Sequence, residues 1–284
     1  MSNAFRTFSL RLGGDSLSRQ TTIAARNSVF DKGEGEPILF ANGYGCDQKV
    51  WRNIAPAFSD YRTILFDHVG AGDSDLASFS AYKYRNLGGY ALDMLALCDE
   101  LALKNVTIVG HSVGAIIGML AVLHRPELFS RLIMVAPSPC YINQDDYIGG
   151  FTRSDIDGLL ELLDNNHLGW SAMMAPVIMG NPERPELGEE LADSFCRLDP
   201  TIARHFARVT FLSNNLQDLP KVAIPTLILQ CSDDSIAPPS VGKHMHGMMP
   251  ESRLVMMKAT GHCPHLSAAE ETITEIRSFL NHAA

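Results

Sequence analysis

Val106-Thr107-Ile108-Val109-Gly110-His111-Ser112-Val113-Gly114 is the stretch of this chain best suited to chemistry. An apolar β-run leads into the pattern Gly-x-Ser-x-Gly, and an apolar helical run beginning Ala115-Ile116-Ile117 follows it. Gly110 and Gly114 let the backbone turn sharply from strand into helix with close packing on either side. Ser112 would then sit on a strained turn, its hydroxyl exposed at the carboxyl edge of a sheet and beside a helix N-terminus. The five-residue pattern alone is a weak signal. The strand, turn and helix around it give it weight.

A serine hydroxyl is a poor nucleophile near neutral pH; it needs a base, and the base needs an orienting acid. On a unit of this kind the chain order is Ser, then Asp or Glu, then His. The run Leu227-Ile228-Leu229-Gln230 leads into Cys231-Ser232-Asp233-Asp234-Ser235, which puts two carboxylates at the carboxyl end of a strand. The run Leu254 to Met257 leads into Thr260-Gly261-His262. Alone, His262 would read as a surface histidine near the C-terminus. His265 is the competing base, and His262-Cys263-Pro264-His265 raises the question of a metal. Two His and one Cys so close together lack the helical i, i+4 spacing of a zinc site, so no metal is expected. The spacing leaves Asp233 and Asp234 both open as the acid.

The oxyanion formed by attack on a carbonyl needs two backbone N–H donors. Val113, the residue after the nucleophile, supplies one. The other comes from the loop after an early strand, Asn42-Gly43-Tyr44-Gly45, where Tyr44 stands between two glycines. A plain glycine-rich turn accounts for the same residues equally well.

These side chains need a scaffold. Ile38 to Ala41, Thr63 to Phe66, Val106 to Val109, Leu132 to Val135, Thr226 to Leu229 and Leu254 to Met257 read as strands. Most are continuous apolar runs, as in parallel strands buried on both faces. Helical patterns alternate with them at Leu87 to Leu101, Gly114 to His124, Val241 to Met248 and Glu270 to Leu280. The alternation predicts an α/β protein with a mostly parallel, doubly wound sheet. From about Ser138 to Leu219 no good strand follows. Helical patterns over Asp155 to Asp164, Leu187 to Cys196 and Pro200 to Phe211 predict a helical insertion between two strands. Ser154 is placed to cap the first and Asp199 the last, with Pro200 opening it. The expected division is a loose extension over 1–20, a core of 21–137 and 220–284, and the insertion over 138–219.

The 284 residues carry 23 Lys and Arg against 32 Asp and Glu, a formal charge of −9. That balance excludes nucleic acid and anionic membrane as natural partners. At 46% apolar and 19% charged, the chain is not disordered. Six cysteines with no C-x-x-C pair point to free thiols in a reducing cytoplasm rather than a disulfide scaffold. The N-terminus lacks the continuous apolar core of a signal peptide, and no run is long enough to span a membrane.

The chain resembles the α/β-hydrolase group that contains the bacterial stress-response regulator RsbQ and the plant karrikin and strigolactone receptors. The resemblance runs from about Arg26 to Leu280. It is carried by Asn42-Gly43-Tyr44-Gly45-Cys46-Asp47-Gln48, Phe66-Asp67-His68-Val69-Gly70-Ala71-Gly72 and the Ser112 pattern. It continues through Pro137-Ser138-Pro139-Cys140-Tyr141, Gly149-Gly150-Phe151, Gly169-Trp170, Gln230 to Pro238, and Gly261 to His265. Common esterases of this fold carry Arg where Val69 stands, as the RsbQ group does not. Tyr44, where Phe is more usual, and the long N-terminus depart from the pattern.

The resemblance implies an α/β-hydrolase fold with a four-helix lid over a deep apolar pocket. It makes Asp234 the acid of a Ser112–His262–Asp234 triad. Trp170 and Met174 would lie on one lid helix and Phe211 on another, lining the pocket with Tyr44. Taken alone, a Trp or Met at helical spacing is more often plain core. The implied chemistry is attack on a small apolar ester or lactone, without a cofactor. The implied role is a signalling hydrolase or ligand sensor of a bacterial stress response, partnered by a PAS-containing serine phosphatase (RsbP-like). The alternative is a metabolic carboxylesterase or C–C bond hydrolase with no signalling role; a haloperoxidase-like activity rests on fold analogy alone.

Overall fold

The computed structural model describes residues 21–282, so the extension expected over 1–20 lies outside the described residues. Seven strands form one sheet: β1 (Phe30–Lys32), β2 (Pro37–Ala41), β3 (Arg62–Leu65), β4 (Val106–His111), β5 (Phe129–Val135), β6 (Thr226–Asp233) and β7 (Ser252–Thr260). Their spatial order is β1-β3-β2-β4-β5-β6-β7. Only β1 runs antiparallel to its neighbour; the other pairs are parallel. Every residue of β2 and β4 is buried. Successive side chains point to opposite faces, so both faces of the central strands are covered. The fold is the α/β arrangement that the alternating sequence pattern predicts.

The helices are α1 (Ile23–Arg26), α2 (Leu87–Glu100), α3 (Val113–His124), α4 (Arg153–Asn165), α5 (His167–Met179), α6 (Pro185–Cys196), α7 (Pro200–Phe211), α8 (Pro239–Met248), α9 (Pro264–Ser267) and α10 (Ala269–His282). Four of them, α4 to α7, fall between β5 and β6. Asp199 caps α7, accepting from the N–H groups of Thr201 and Ile202. Ser154 does not cap α4. Thr152 does, in a reciprocal capping box with Asp155 that satisfies two terminal donors at once.

The strand order decides where a site can form. From β2 the chain moves to β3 on one side and then crosses to β4 on the other. The loops leaving β2 and β4 therefore diverge and open a crevice at the carboxyl edge. The register pairs Ala41 with Gly110. That pairing sets the Asn42–Gly45 loop beside the His111-Ser112 turn.

The insertion packs over this edge. Ser194 on α6 donates to the Gly45 carbonyl at 2.7 Å, and the Ile178 carbonyl on α5 accepts from His262 N–H at 2.9 Å. Gly45 has φ +75°, and a Cβ there would lie 2.2 Å from the Phe195 ring of α6. Glycine is required at this position for both reasons. The insertion also enters and leaves at one point. Asn215 N–H donates to the Pro139 carbonyl at 2.8 Å, and Cys140 bridges Asn214.

Candidate active site

Ser112 sits at the turn between β4 and α3 with φ 53° and ψ −123°, a backbone conformation that L-residues rarely adopt. The flanking glycines make the turn possible. A Cβ at Gly114 would lie 2.4 Å from the Asn42 carbonyl oxygen, and one at Gly110 would lie 2.5 Å from Ala115 Cα. Close approach of α3 to β2 and β4 thus dictates both residues, and it drives Ser112 out of the sheet.

His262 follows β7 and reaches both neighbours. Its Nε2 lies 2.7 Å from Ser112 Oγ, and its Nδ1 lies 2.8 Å from Asp234 Oδ2. A carboxylate only accepts, so Nδ1 carries the proton and Nε2 is free to take the one on Ser112. The second oxygen of Asp234 accepts from Ile236 and Ala237 N–H at 2.8 and 3.0 Å. Gln230, fully buried, clamps the same loop by donating to the Ala237 carbonyl at 2.7 Å. Asp233 ends β6 paired with Thr260 and is exposed; Asp234, one residue on, is buried. The register shift at the end of β6 leaves Asp233 facing water, and Asp234, the first residue past the strand, turns in to His262.

Val113 is the first residue of α3, where helix geometry leaves its N–H without an intrahelical acceptor. Tyr44 lies inside the turn closed by Cys46 N–H to the Gly43 carbonyl. Both N–H groups lie on the two loops that diverge around the crevice. Above them Tyr44, Trp170, Met174 and Phe211 line one cavity with Ser112 and His262. The Tyr44 ring meets Trp170 edge-on at 6.0 Å and Phe211 at 6.0 Å. Its hydroxyl donates to the Ala203 carbonyl of α7 at 3.2 Å. The cavity is tight: the centre of a water-sized sphere has only about 30 Å³ of room, enough for one or two waters.

Three further residues of the site carry no signal in the sequence patterns. Tyr141, beyond β5, brings its hydroxyl to 3.4 Å from Ser112 Oγ. His111 donates from Nε2 to the His262 carbonyl at 2.8 Å and so holds the His262 backbone. Thr210 on α7 lines the cavity. Gly-His-Ser-Val-Gly names His111 only as a filler, and nothing in the spacing singles out Tyr141 or Thr210.

His265 does not reach Ser112. It is fully buried, its ring tilted against those of His111 at 4.3 Å and Trp51 at 4.9 Å, and both its ring nitrogens lack hydrogen-bond partners among the described residues. Burial, reinforced by His111 and His262, holds its pKa well below the usual 6.5. Burial likewise pushes His111 down to about 3 and His68 to about 4. These three stay neutral in the fold and protonate in the unfolded chain. Stability is therefore full above pH 6.5 and falls as the pH drops below it, by about 2 kcal/mol at pH 5 for each of His68 and His111. His265→Phe, which keeps the ring and removes the titrating group, should flatten the acid decline of the melting temperature between pH 7 and 5. Ester turnover should stay within about twofold of wild type, because His265 bonds to none of Ser112, His262 and Asp234. A collapse of turnover would make His265 part of the base machinery.

Among the described residues, no cluster of three or more His, Cys, Asp or Glu is arranged to hold a metal ion. No helix there is long and apolar enough to cross a membrane.

A serine on a strand-to-helix elbow, a histidine after the last strand and a carboxylate after the one before it, set on a parallel sheet, define the α/β-hydrolase class of proteins. The chain belongs to that family: residues 38–275 match the model of the alpha/beta hydrolase family. It is 36% identical over 256 residues to a probable esterase of Oryza sativa subsp. japonica, covering 89% of this chain and 94% of that one. It is also 36% identical over 253 residues to "Karrikin insensitive 2 receptor IA" of Petunia hybrida, covering 88% and 92%. Among solved structures, the hydrolase olei00960 from Oleispira antarctica superposes with a TM-score of 0.89 at 40% identity, covering 92% of this chain and 96% of that one. The expected relationship to the karrikin and strigolactone receptors, and the expectation of an esterase-like α/β-hydrolase, agree with these relatives.

Proposed function

We propose that the protein is a serine hydrolase of small, largely apolar esters or lactones, with Ser112 as nucleophile, His262 as base and Asp234 as orienting acid. The observation that carries this reading is the unbroken hydrogen-bond chain Ser112–His262–Asp234, with 2.7 and 2.8 Å links. Ser112 Oγ attacks the carbonyl carbon as its proton passes to His262 Nε2. Asp234 holds the tautomer and stabilises the imidazolium. N–H groups of Tyr44 and Val113 hold the oxyanion. His262 then protonates the leaving alkoxide, and water, deprotonated by the same imidazole, clears the acyl-enzyme. The helices α4 to α7 act as a lid that excludes water from this step, and Trp170, Met174 and Phe211 supply its apolar lining.

A second reading, ligand sensing, is favoured by how tightly the aromatic wall closes on Ser112. A bound ester has to displace that wall, so occupancy is coupled to the position of the lid helices. The relative named as a karrikin-insensitive receptor supports the same idea. On this reading the lid's outer surface signals to a protein, and the resemblance to the RsbQ group makes a PAS-containing serine phosphatase the partner to test. Six unpaired thiols, five of them buried, support a reducing cytoplasm as its setting.

Intact-mass analysis after incubation with a panel of p-nitrophenyl esters and butenolide lactones tests the catalytic reading. The expected result is an added acyl mass that maps to Ser112 and decays with turnover. Hydrolysis without any Ser112 adduct, even in rapid-quench samples, together with full activity of Ser112→Ala, would overturn it.

A further inference from the structure

The two other fully buried Ser and Thr side chains within the helices described bond back to a carbonyl one turn earlier. Ser171 donates to the His167 carbonyl at 2.8 Å and Thr272 to that of Ala268 at 3.0 Å. Thr210 does not. Its side chain is 1% exposed, and Oγ1 has no hydrogen-bond partner among the described residues. It lines the Ser112 cavity from α7, next to Phe211 in sequence, and Trp170 lines the same cavity from α5. The polar groups that meet Ser112 belong to other elements, Tyr141 and His262. Leaving a buried hydroxyl unpaired is unfavourable, and the methyl-for-hydroxyl isostere valine would fill the same space without that cost. A polar atom kept unpaired in an apolar pocket discriminates between ligands that can bond to it and ligands that cannot.

We propose that Thr210 Oγ1 is a specificity-determining group that bonds to an oxygen of the ligand other than the scissile carbonyl. The substrate class is then narrowed from simple alkyl esters to esters or lactones bearing a second oxygen, as an ether, hydroxyl or carbonyl. This rests on the serine-hydrolase reading given above.

The test uses two matched pairs of p-nitrophenyl esters in which one oxygen replaces one methylene: pentanoate with 3-methoxypropanoate, and butanoate with methoxyacetate. Within each pair the ratio of kcat/KM, oxygen-bearing over all-carbon, is compared between wild type and variants, so intrinsic ester reactivity cancels. Thr210→Val should lower the ratio by about fivefold or more in at least one pair, the loss of one net hydrogen bond. Thr210→Ser should keep it. Thr210→Val should also melt no lower than wild type, because Oγ1 gives up no hydrogen bond within the described residues. An unchanged ratio in both pairs overturns the proposal. Should the wild type turn over none of the four esters, the catalytic reading fails by itself. Equilibrium binding of the corresponding methyl esters, followed by tryptophan fluorescence, then gives the same ratio: a fall in Thr210→Val upholds the site, and no fall overturns it.

Discussion

Ser112→Ala is expected to abolish labelling by a fluorophosphonate probe and to lower turnover of an activated ester by about 10⁴- to 10⁶-fold, with the melting temperature almost unchanged. The loss is large because the triad acts as a unit. Once the attacking oxygen is gone, His262 has nothing to deprotonate, and only the oxyanion donors and the pocket remain to assist water. The fold should survive. The turn is imposed by Gly110 and Gly114 against Ala115 and Asn42, and Ser112 Oγ contributes no bond to that geometry beyond its contacts with His262 and Tyr141. Active-site titration, intact mass and thermal melting measure the three effects separately. A probe adduct at another serine, or turnover within tenfold of wild type, would remove Ser112 from the mechanism.

Asp234→Asn should cost about 10³- to 10⁴-fold in kcat, while Asp233→Asn stays close to wild type. An amide in place of Asp234 Oδ2 can present its NH₂ group to His262 Nδ1. The ring then puts its proton on Nε2, where it can no longer accept the one from Ser112. Asp233 faces water at the end of β6 and touches none of these groups, so its charge acts only through solvent. Side-by-side kinetics of the two variants at one pH decide the matter. Equal losses would show that the loop's net charge matters rather than one oriented carboxylate.

The strands easiest to read in the sequence are those whose burial is extreme. β2 and β4 are buried on both faces, so their runs are apolar without interruption and stand out. β1 has three residues, all exposed, and joins the sheet only through antiparallel pairing with β3; no apolar run marks it. The helix α5 was invisible to periodicity for the opposite reason. It is apolar nearly all round, with Leu168, Met173 and Val177 exposed and Trp170, Met174 and Ile178 buried, so no polar face sets a phase. Pro176 within it adds a false stop. The residues of the proposed triad could be picked out because each follows a strand that is itself easy to see. Choosing Asp234 over Asp233 needed the family resemblance, since the deciding fact is which way a side chain points at a strand end. Tyr141 and Thr210 reach the cavity through tertiary packing alone.

The meeting of Pro139 and Cys140 with Asn214 and Asn215 has a consequence for how such a protein can change over evolutionary time. The two ends of the helical insertion are pinned to each other beside β5 and β6, so the strand spacing of the sheet does not depend on the length of chain between them. Loop-closure entropy rises by only about 0.6 kcal/mol for each doubling of a flexible connection. A whole set of helices can therefore be lengthened, shortened or exchanged for another as one cassette. The groups proposed to react after β4, β6 and β7 would keep their places provided the new helices again meet the Gly45 carbonyl and the His262 N–H, while the molecules admitted to them change.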